Sequence, residues 1–254
     1  MRRLQFMVLS AAALALPRFT LAKPARPAVG QSTSLSDMLA YDFVAPKPGD
    51  WVRYTLGYGS LFLEQIGFGQ EQVAGQRTLF IETQTGMPGG SCNPNTLKKT
   101  YVSADRFGPL GIRYPVMVYV ARNGTMVSHW DDLAAKESQG KPRPKFGVLD
   151  GVLDDNSPCV ITDVRRDVIT KTKRRFETTR ITCASRQRPH RDGGIQRLEV
   201  WHSNSVPLGI VAVRAAVAGI EPFKLDIDAF GRGHYESGIS EPLDSIRAAG
   251  PISL

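Results

Sequence analysis

Apolar and polar residues alternate with a period of two along most of the chain after Asp50, and glycine-containing turns punctuate the alternation. Half-buried antiparallel strands read this way, because successive side chains point to opposite faces of a sheet. The early strands are predicted at Trp51–Leu56, Leu61–Ile66, Thr78–Thr83 and Lys98–Ser103, with a turn at Ala74-Gly75-Gln76. Asn123-Gly124 is the clearest turn, since both central residues of a type I′ hairpin need positive φ. It joins Val116–Arg122 to Thr125–Trp130 and sets Val120 opposite Val127 and Val118 opposite His129. Later strands are predicted at Val160–Val168, Phe176–Cys183, Gln196–His202, Gly209–Val217 and Phe223–Phe230. In the last of these, Phe223, Leu225, Ile227 and Ala229 share one face against Lys224, Asp226 and Asp228.

Few stretches are long enough to cross between parallel strands, which favours antiparallel pairing. The expected fold is therefore mostly β: a large curved antiparallel sheet or half-barrel of about ten strands with a few short helices. One helix is predicted from Ser34 or Ser36 as N-cap through Leu35, Met38 and Leu39, ending before Pro46-Lys47-Pro48-Gly49. Others are predicted at Asp131–Gln139 and Glu241–Ala249.

The N-terminus changes the picture of where the sheet works. Arg2-Arg3, an apolar stretch from Leu4 to Leu16, and Thr20-Leu21-Ala22 have the order of a secretory signal. That stretch is too short for a bilayer helix, which needs about 20 residues. The general secretory route is favoured, with a twin-arginine route as the alternative. Residues 1–22 are read as the signal, 23–34 as a flexible tether rich in Pro, Ala, Gly and Ser, and 35–254 as one β domain. The mature chain is expected to be periplasmic or secreted and not membrane-spanning. Loss of Arg2, Arg3 and Arg18 lowers the formal charge of +8 to about +5.

Three cysteines in an oxidising compartment allow one intrachain bridge. Cys159 and Cys183 flank a candidate hairpin. If they face each other, Ile161 pairs with Ile181, Arg165 with Glu177 and Asp167 with Arg175, while Val160, Val164, Val168 and Phe176 share the opposite, apolar face. The turn of this hairpin, Ile169 to Lys173, contains neither Gly nor Pro. Cys92, in the loop Gly89-Gly90-Ser91-Cys92-Asn93-Pro94, is left free in this pairing and is the alternative partner for either of the others.

No Gly-x-Ser-x-Gly elbow, His-Glu-x-x-His helix, paired Cys-x-x-Cys or Gly-x-x-x-x-Gly-Lys loop is present, so no catalytic residue and no cofactor are predicted. His129, His190, His202 and His234 lie on separate elements without a metal-ligand spacing. Asp150, Asp154, Asp155 and Asn156 lack the glycine-centred spacing of a calcium loop and are read as a solvated turn. Residues 165–191 hold ten Lys or Arg against Asp167 and Glu177. In an exported protein that run favours an anionic envelope component over nucleic acid. Lys173, Arg174 and Arg175 are its candidate contact residues, and a charged edge that blocks sheet-to-sheet pairing is the competing reading.

The signal, Trp51-x-x-Tyr54 in the first strand, and Val200-Trp201-His202-Ser203-Asn204-Ser205-Val206-Pro207-Leu208-Gly209 between two late strands resemble the bacterial envelope lipoprotein-carrier half-barrel group (LolA/LolB-like). The resemblance is one of layout over about Asp50 to Phe230. It implies a curved sheet covered by helices, with acyl chains received between them. The expected function is then to hold a hydrophobic or amphipathic ligand, such as a lipid, on the concave face. Trp51, Phe80, Trp201 and Phe230 are the candidate lining residues. An envelope interaction module working through the basic hairpin, and a hydrolase whose groups converge only on folding, are the alternatives.

Overall fold

The computed structural model describes residues 27–33, 38, 41–73, 76–93, 97–102, 107–108, 111–112, 117–122, 125–129, 159–185, 195–217, 219 and 221–239. The signal, the predicted helices at 131–139 and 241–249, the Asn123-Gly124 turn and the 150–156 stretch lie outside them. Of the first predicted helix only Met38 is described, and it is helical.

Fourteen strands are described: β1 (Ser32–Thr33), β2 (Trp51–Tyr58), β3 (Ser60–Val73), β4 (Gln76–Gly86), β5 (Lys98–Val102), β6 (Phe107–Gly108), β7 (Gly111–Ile112), β8 (Met117–Arg122), β9 (Thr125–His129), β10 (Cys159–Lys171), β11 (Arg174–Ser185), β12 (Ile195–His202), β13 (Ile210–Val217) and β14 (Phe223–Gly231). Twelve form one antiparallel sheet in the order β1-β10-β11-β12-β13-β14-β2-β3-β4-β5-β8-β9, and β6 pairs with β7. Among the described residues the edge strands do not meet, so the sheet stays open. The predicted register of the β8–β9 hairpin holds, with Val120 opposite Val127 and Val118 opposite His129.

The core follows the ladder. Ile181, Val200, Val213, Leu225 and Leu56 stand opposite one another in turn across β11, β12, β13, β14 and β2, and each is at most 2% exposed. Burying a side chain of this size contributes roughly 1.5–3 kcal/mol, so this row alone ties five strands together. Met38 and residues 41–44 lie against the same region. Met38 Sδ is 3.8 Å from Cys159 Sγ, Tyr41 meets the His202 ring edge-on at 5.8 Å, and the Leu208 amide donates to the Val44 carbonyl at 3.0 Å. A Cβ on Gly209 would sit 2.6 Å from the Asp42 carbonyl oxygen, and its φ is +78°. The glycine after Pro207-Leu208 is therefore required both by backbone conformation and by this approach.

The β10–β11 hairpin corrects the predicted register. Cys159 and Cys183 are bonded, with Cα atoms 5.8 Å apart, and Cys92 is free. Yet Cys159 stands opposite Ser185, Ile161 opposite Cys183, and Val164 opposite Ile181, with an irregularity between Ile161 and Asp163. The hairpin closes on the two residues Thr172 and Lys173, with φ of 46° and 63°. Two successive positive φ values are the mark of a type I′ turn, whose twist suits flanking strands even without glycine. The turn and the bulge shift every pair near the tip. Arg165 faces Arg180, Asp167 faces Thr178, and Glu177 faces Val168, so the two predicted ion pairs do not form. Val168 is 47% exposed rather than on an apolar face with buried Phe176. The stretch expected as a tether is pinned where Ser32 and Thr33 pair with Val160 and Cys159.

Candidate functional site

Exposed basic residues gather at the tip of the β10–β11 hairpin. Lys173, Arg174 and Arg175 are all exposed. The Arg174 guanidinium lies 5.0 Å from the Phe230 ring centroid, and Phe230 packs on Phe176 at 6.1 Å. Lys173 and Arg175 have no acidic partner among the described residues. Lys171 reaches across to Asp226 at 2.8 Å, a contact between β10 and β14 that brings the hairpin over this face of the sheet.

Behind the tip, Trp201 is enclosed by charges. Its Nε1 donates to Asp167 Oδ2 at 3.0 Å, while the guanidinium carbons of Arg180 and Arg214 lie 5.1 and 6.0 Å from the ring. Arg180 is paired with Glu199, and Arg214 Nη2 reaches both carboxylate oxygens of Asp226 at 2.6 and 2.8 Å. The Trp201 hydrogen bond holds the Asp167 carboxyl below its ordinary range. Burial opposes ionisation of Glu199, but Arg180 and Arg197 together outweigh it and keep this acid ionised to lower pH than usual.

Trp51 and Phe80 stand elsewhere. Trp51 lies opposite Gly231 and Gly67 in the ladders, and a Cβ on Gly231 would come within 2.3 Å of the indole nitrogen. Phe80 is buried, lies against Gly69, and carries the Lys99 ammonium 4.2 Å from its ring. The four candidate lining aromatics are thus split: Trp201 and Phe230 share the β10–β14 side, and Trp51 and Phe80 sit near β3 and β4.

A buried charge cluster that sequence reasoning missed lies beside Phe80. Glu82 and Lys99 are opposite each other in β4 and β5 and are 0% and 1% exposed. The C-terminal segment after β14 closes over them. Tyr235 Oη donates to Glu82, as do Ser237 Oγ at 2.7 Å and the Gly238 amide at 2.9 Å. Lys99 Nζ donates to Glu71, to Ser237 Oγ at 3.0 Å and to the Ile239 carbonyl at 3.0 Å. A Ser–Lys pair serves as nucleophile and base only with a neutral amine. Here Lys99 Nζ donates to Glu71, Ser237 and Ile239, and Ser237 Oγ donates a hydrogen bond to Glu82, so these contacts anchor the segment to β4 and β5. The sequence signal was alternation that places Glu82 and Lys99 at ordinary strand positions, with nothing to mark them as buried.

A cleft of about 670 Å³ opens at the end of β10, β11 and β12, where the core row stops. Asp42, Asp167, Glu177, Arg166 and His202 are among its lining residues. His202 is 1% exposed, and burial lowers its pKa to about 4 although the nearby carbonyls of Met38 and Gly209 act in the opposite sense. Neither ring nitrogen closes a hydrogen bond of good geometry with any described residue. None of Trp51, Phe80, Trp201 and Phe230 lines this cleft. Cys92 is half-buried, and burial raises its thiol pKa, which disfavours a nucleophilic thiolate. Among the described residues no group of three or more His, Cys, Asp or Glu could hold a metal ion, and no helix is long and apolar enough to cross a membrane.

No family model matches the chain, and no curated protein matches it. Among solved structures it is similar to a candidate lipoprotein from Parabacteroides distasonis, at 11% identity over 74% of this chain and 98% of the other, with a TM-score of 0.33. It is also similar to a candidate exported protein with a YmcC-like fold from Bacteroides fragilis, at 8% identity over 75% and 99%, with a TM-score of 0.33. At that TM-score neither likeness assigns a family or a function.

Proposed function

We propose that the chain is an exported binding module of the bacterial envelope whose basic β10–β11 hairpin engages an anionic membrane surface. One observation carries the reading: Lys173 and Arg175 stand exposed beside Arg174 at a hairpin tip, with no acidic partner among the described residues. Cations left unpaired in this way keep their full attraction for lipid phosphates, about 1 kcal/mol per residue near an anionic surface. The signal-like N-terminus supports export, and the Cys159–Cys183 bond suits an oxidising compartment. Envelope fractionation of cells carrying the wild type and the Lys173→Glu, Arg175→Glu variant tests it. The variant should leave the envelope fraction, and unchanged cofractionation in low salt would refute the reading.

A second reading, a hydrophobic or amphipathic ligand, is favoured by apolar surface at the opposite end of the sheet. Tyr58, Leu61 and Phe62 are each 39% exposed at the β2–β3 turn, and Met87 is 72% exposed just beyond β4. A ligand of this kind would sit on that fringe rather than over Trp51, Phe80, Trp201 and Phe230, which already pack against protein groups. Native mass spectrometry of protein from its own host should then show a copurifying lipid, which Leu61→Ser, Phe62→Ser would lose.

A further inference from the structure

The outer edge of β10 is used by neither reading. β11 pairs with β10 along its whole length, but on the other side β1 meets only Val160 and Cys159, with Gly30 and Gln31 adding backbone bonds to Ile161. Lys171 and Arg174 close the two-residue turn as a pair that exchanges both backbone bonds, and the register runs unshifted from there to Asp163. Alternate residues therefore turn their N–H and C=O away from β11: Thr170, Val168, Arg166 and Val164. None of these groups finds a strand partner among the described residues. The Val168 amide is met by the carboxylate of its own neighbour, Asp167 Oδ1 at 2.8 Å. Arg166, Val168 and Thr170 are exposed, so another chain can reach the row.

An open row of backbone donors and acceptors is a template for a further strand, and the side chains beside it point to which strand. The free stretch is bounded by Ile161, where the N-terminal segment ends its pairing, and by Lys171, which leans towards Asp226 on β14. Its middle residue is Arg166. An antiparallel pair with a second copy, related by a two-fold axis at Arg166, sets Val164 opposite Val168 and Arg165 opposite Asp167, each twice. The first contact covers Val168, which is 47% exposed, with a valine already packed on the core. The second joins opposite charges in the closer, non-hydrogen-bonded positions of the ladder. Moving the axis one residue either way sets Asp167 against itself or Asp163 against Asp167, so charge selects the same register as the bounds do. A run of one sign would keep such an edge single. Here the like-charge contact is confined to Arg166 at the axis, whose long exposed stem lets the two head groups part. We propose that the chain forms a two-fold dimer by continuing its sheet through β10 of a second copy.

Sedimentation of the purified protein, with Cys92 alkylated to exclude a disulfide-linked dimer, reads the association over a series up to about 100 μM, where micromolar association is nearly complete. Wild type should form a reversible dimer. Arg166→Pro should stay monomeric, because it removes an N–H that the second copy alone would use, and an edge strand tolerates proline where the N–H faces outward. Arg166→Thr should dimerise more tightly, since it removes the like charges at the axis. Arg165→Glu, at an exposed position, should weaken the dimer roughly tenfold, as two attractive pairs turn repulsive together. These two variants keep the test open should proline disturb the strand, and Lys173 and Arg175 are unchanged throughout, so the result is separate from what the tip binds. A wild type that stays monomeric, a dimer that survives Arg166→Pro, one weakened by Arg166→Thr, or one of equal affinity in Arg165→Glu overturns the proposal.

Discussion

Cys159 is bonded to Cys183 although it stands opposite Ser185 in the β10–β11 ladder. The bridge therefore runs along a diagonal, and its Cα separation of 5.8 Å is within the range a disulfide accepts. It fastens both strands beside Met38, where the N-terminal segment meets the sheet. Peptide mapping of non-reduced, alkylated protein should recover one linked peptide pair, 159 with 183, and alkylated Cys92. Replacing both bridged cysteines by Ala should cost about 3 kcal/mol, as chain-entropy estimates give for a loop of this length. A linked peptide containing Cys92 would contradict the assignment.

Thr172 and Lys173 hold positive φ in a two-residue turn that Asn-Gly fills more readily. Thr172→Asn should stabilise the protein by on the order of 1 kcal/mol, read as a higher denaturant midpoint at constant slope. Destabilisation would mean that the Thr172 hydroxyl makes up for the strain.

How much was legible follows from these two positions. Alternation located the strands, because a period of two reports directly on which face is buried, and β2, β5, β8, β12 and β14 appear within two residues of their predicted bounds. The disulfide was legible because only one pair of cysteines flanks a hairpin. The register between them was not. It depends on a bulge near Thr162 and on Thr172-Lys173 accepting positive φ, and neither leaves a compositional mark. The cleft and the Glu82–Lys99 cluster were illegible for a related reason: Asp42, Glu177 and His202 come from three separate segments, and Glu82 is covered by residues more than 150 positions away.

His202 makes stability depend on pH. Its folded pKa of about 4 lies below the ordinary 6.5, so the unfolded chain binds more protons between these values. Its contribution is complete above about pH 6.5 and is lost as pH falls towards 4, a change on the order of 3 kcal/mol. Denaturant midpoints between pH 7 and 4.5, above the range where Asp167 and Glu199 protonate, should fall in the wild type and stay flat in His202→Phe. A flat wild-type profile would place a protonatable, solvent-reached imidazole at this position.

The C-terminal segment depends on the absence of a side chain at Gly67, where a Cβ would lie 2.0 Å from the Tyr235 ring. Gly67→Ala should displace Tyr235 from Glu82, leave a buried charge cluster open, and cost roughly 1–3 kcal/mol. Glu82→Gln should cost more, about 3–5 kcal/mol, because Lys99 remains buried with less charge to balance it. Hydrogen exchange should show protection lost first at residues 234–239 in the Gly67 variant, and uniform protection would contradict the docking role.

The central claim, that the β10–β11 tip binds an anionic surface, is tested most directly by cosedimentation of the purified protein with phosphatidylglycerol vesicles across a salt series. Arg174 stays in place in the test variant, since it also packs on Phe230. Wild type should bind in low salt and release as screening shortens the reach of exposed charges to about 8 Å near physiological ionic strength. Lys173→Glu, Arg175→Glu should not bind, with an unchanged melting curve, and neither protein should bind phosphatidylcholine vesicles. Equal binding by wild type and variant, or no binding by wild type in low salt, would contradict the claim and leave the tip as a charged edge that keeps sheets apart.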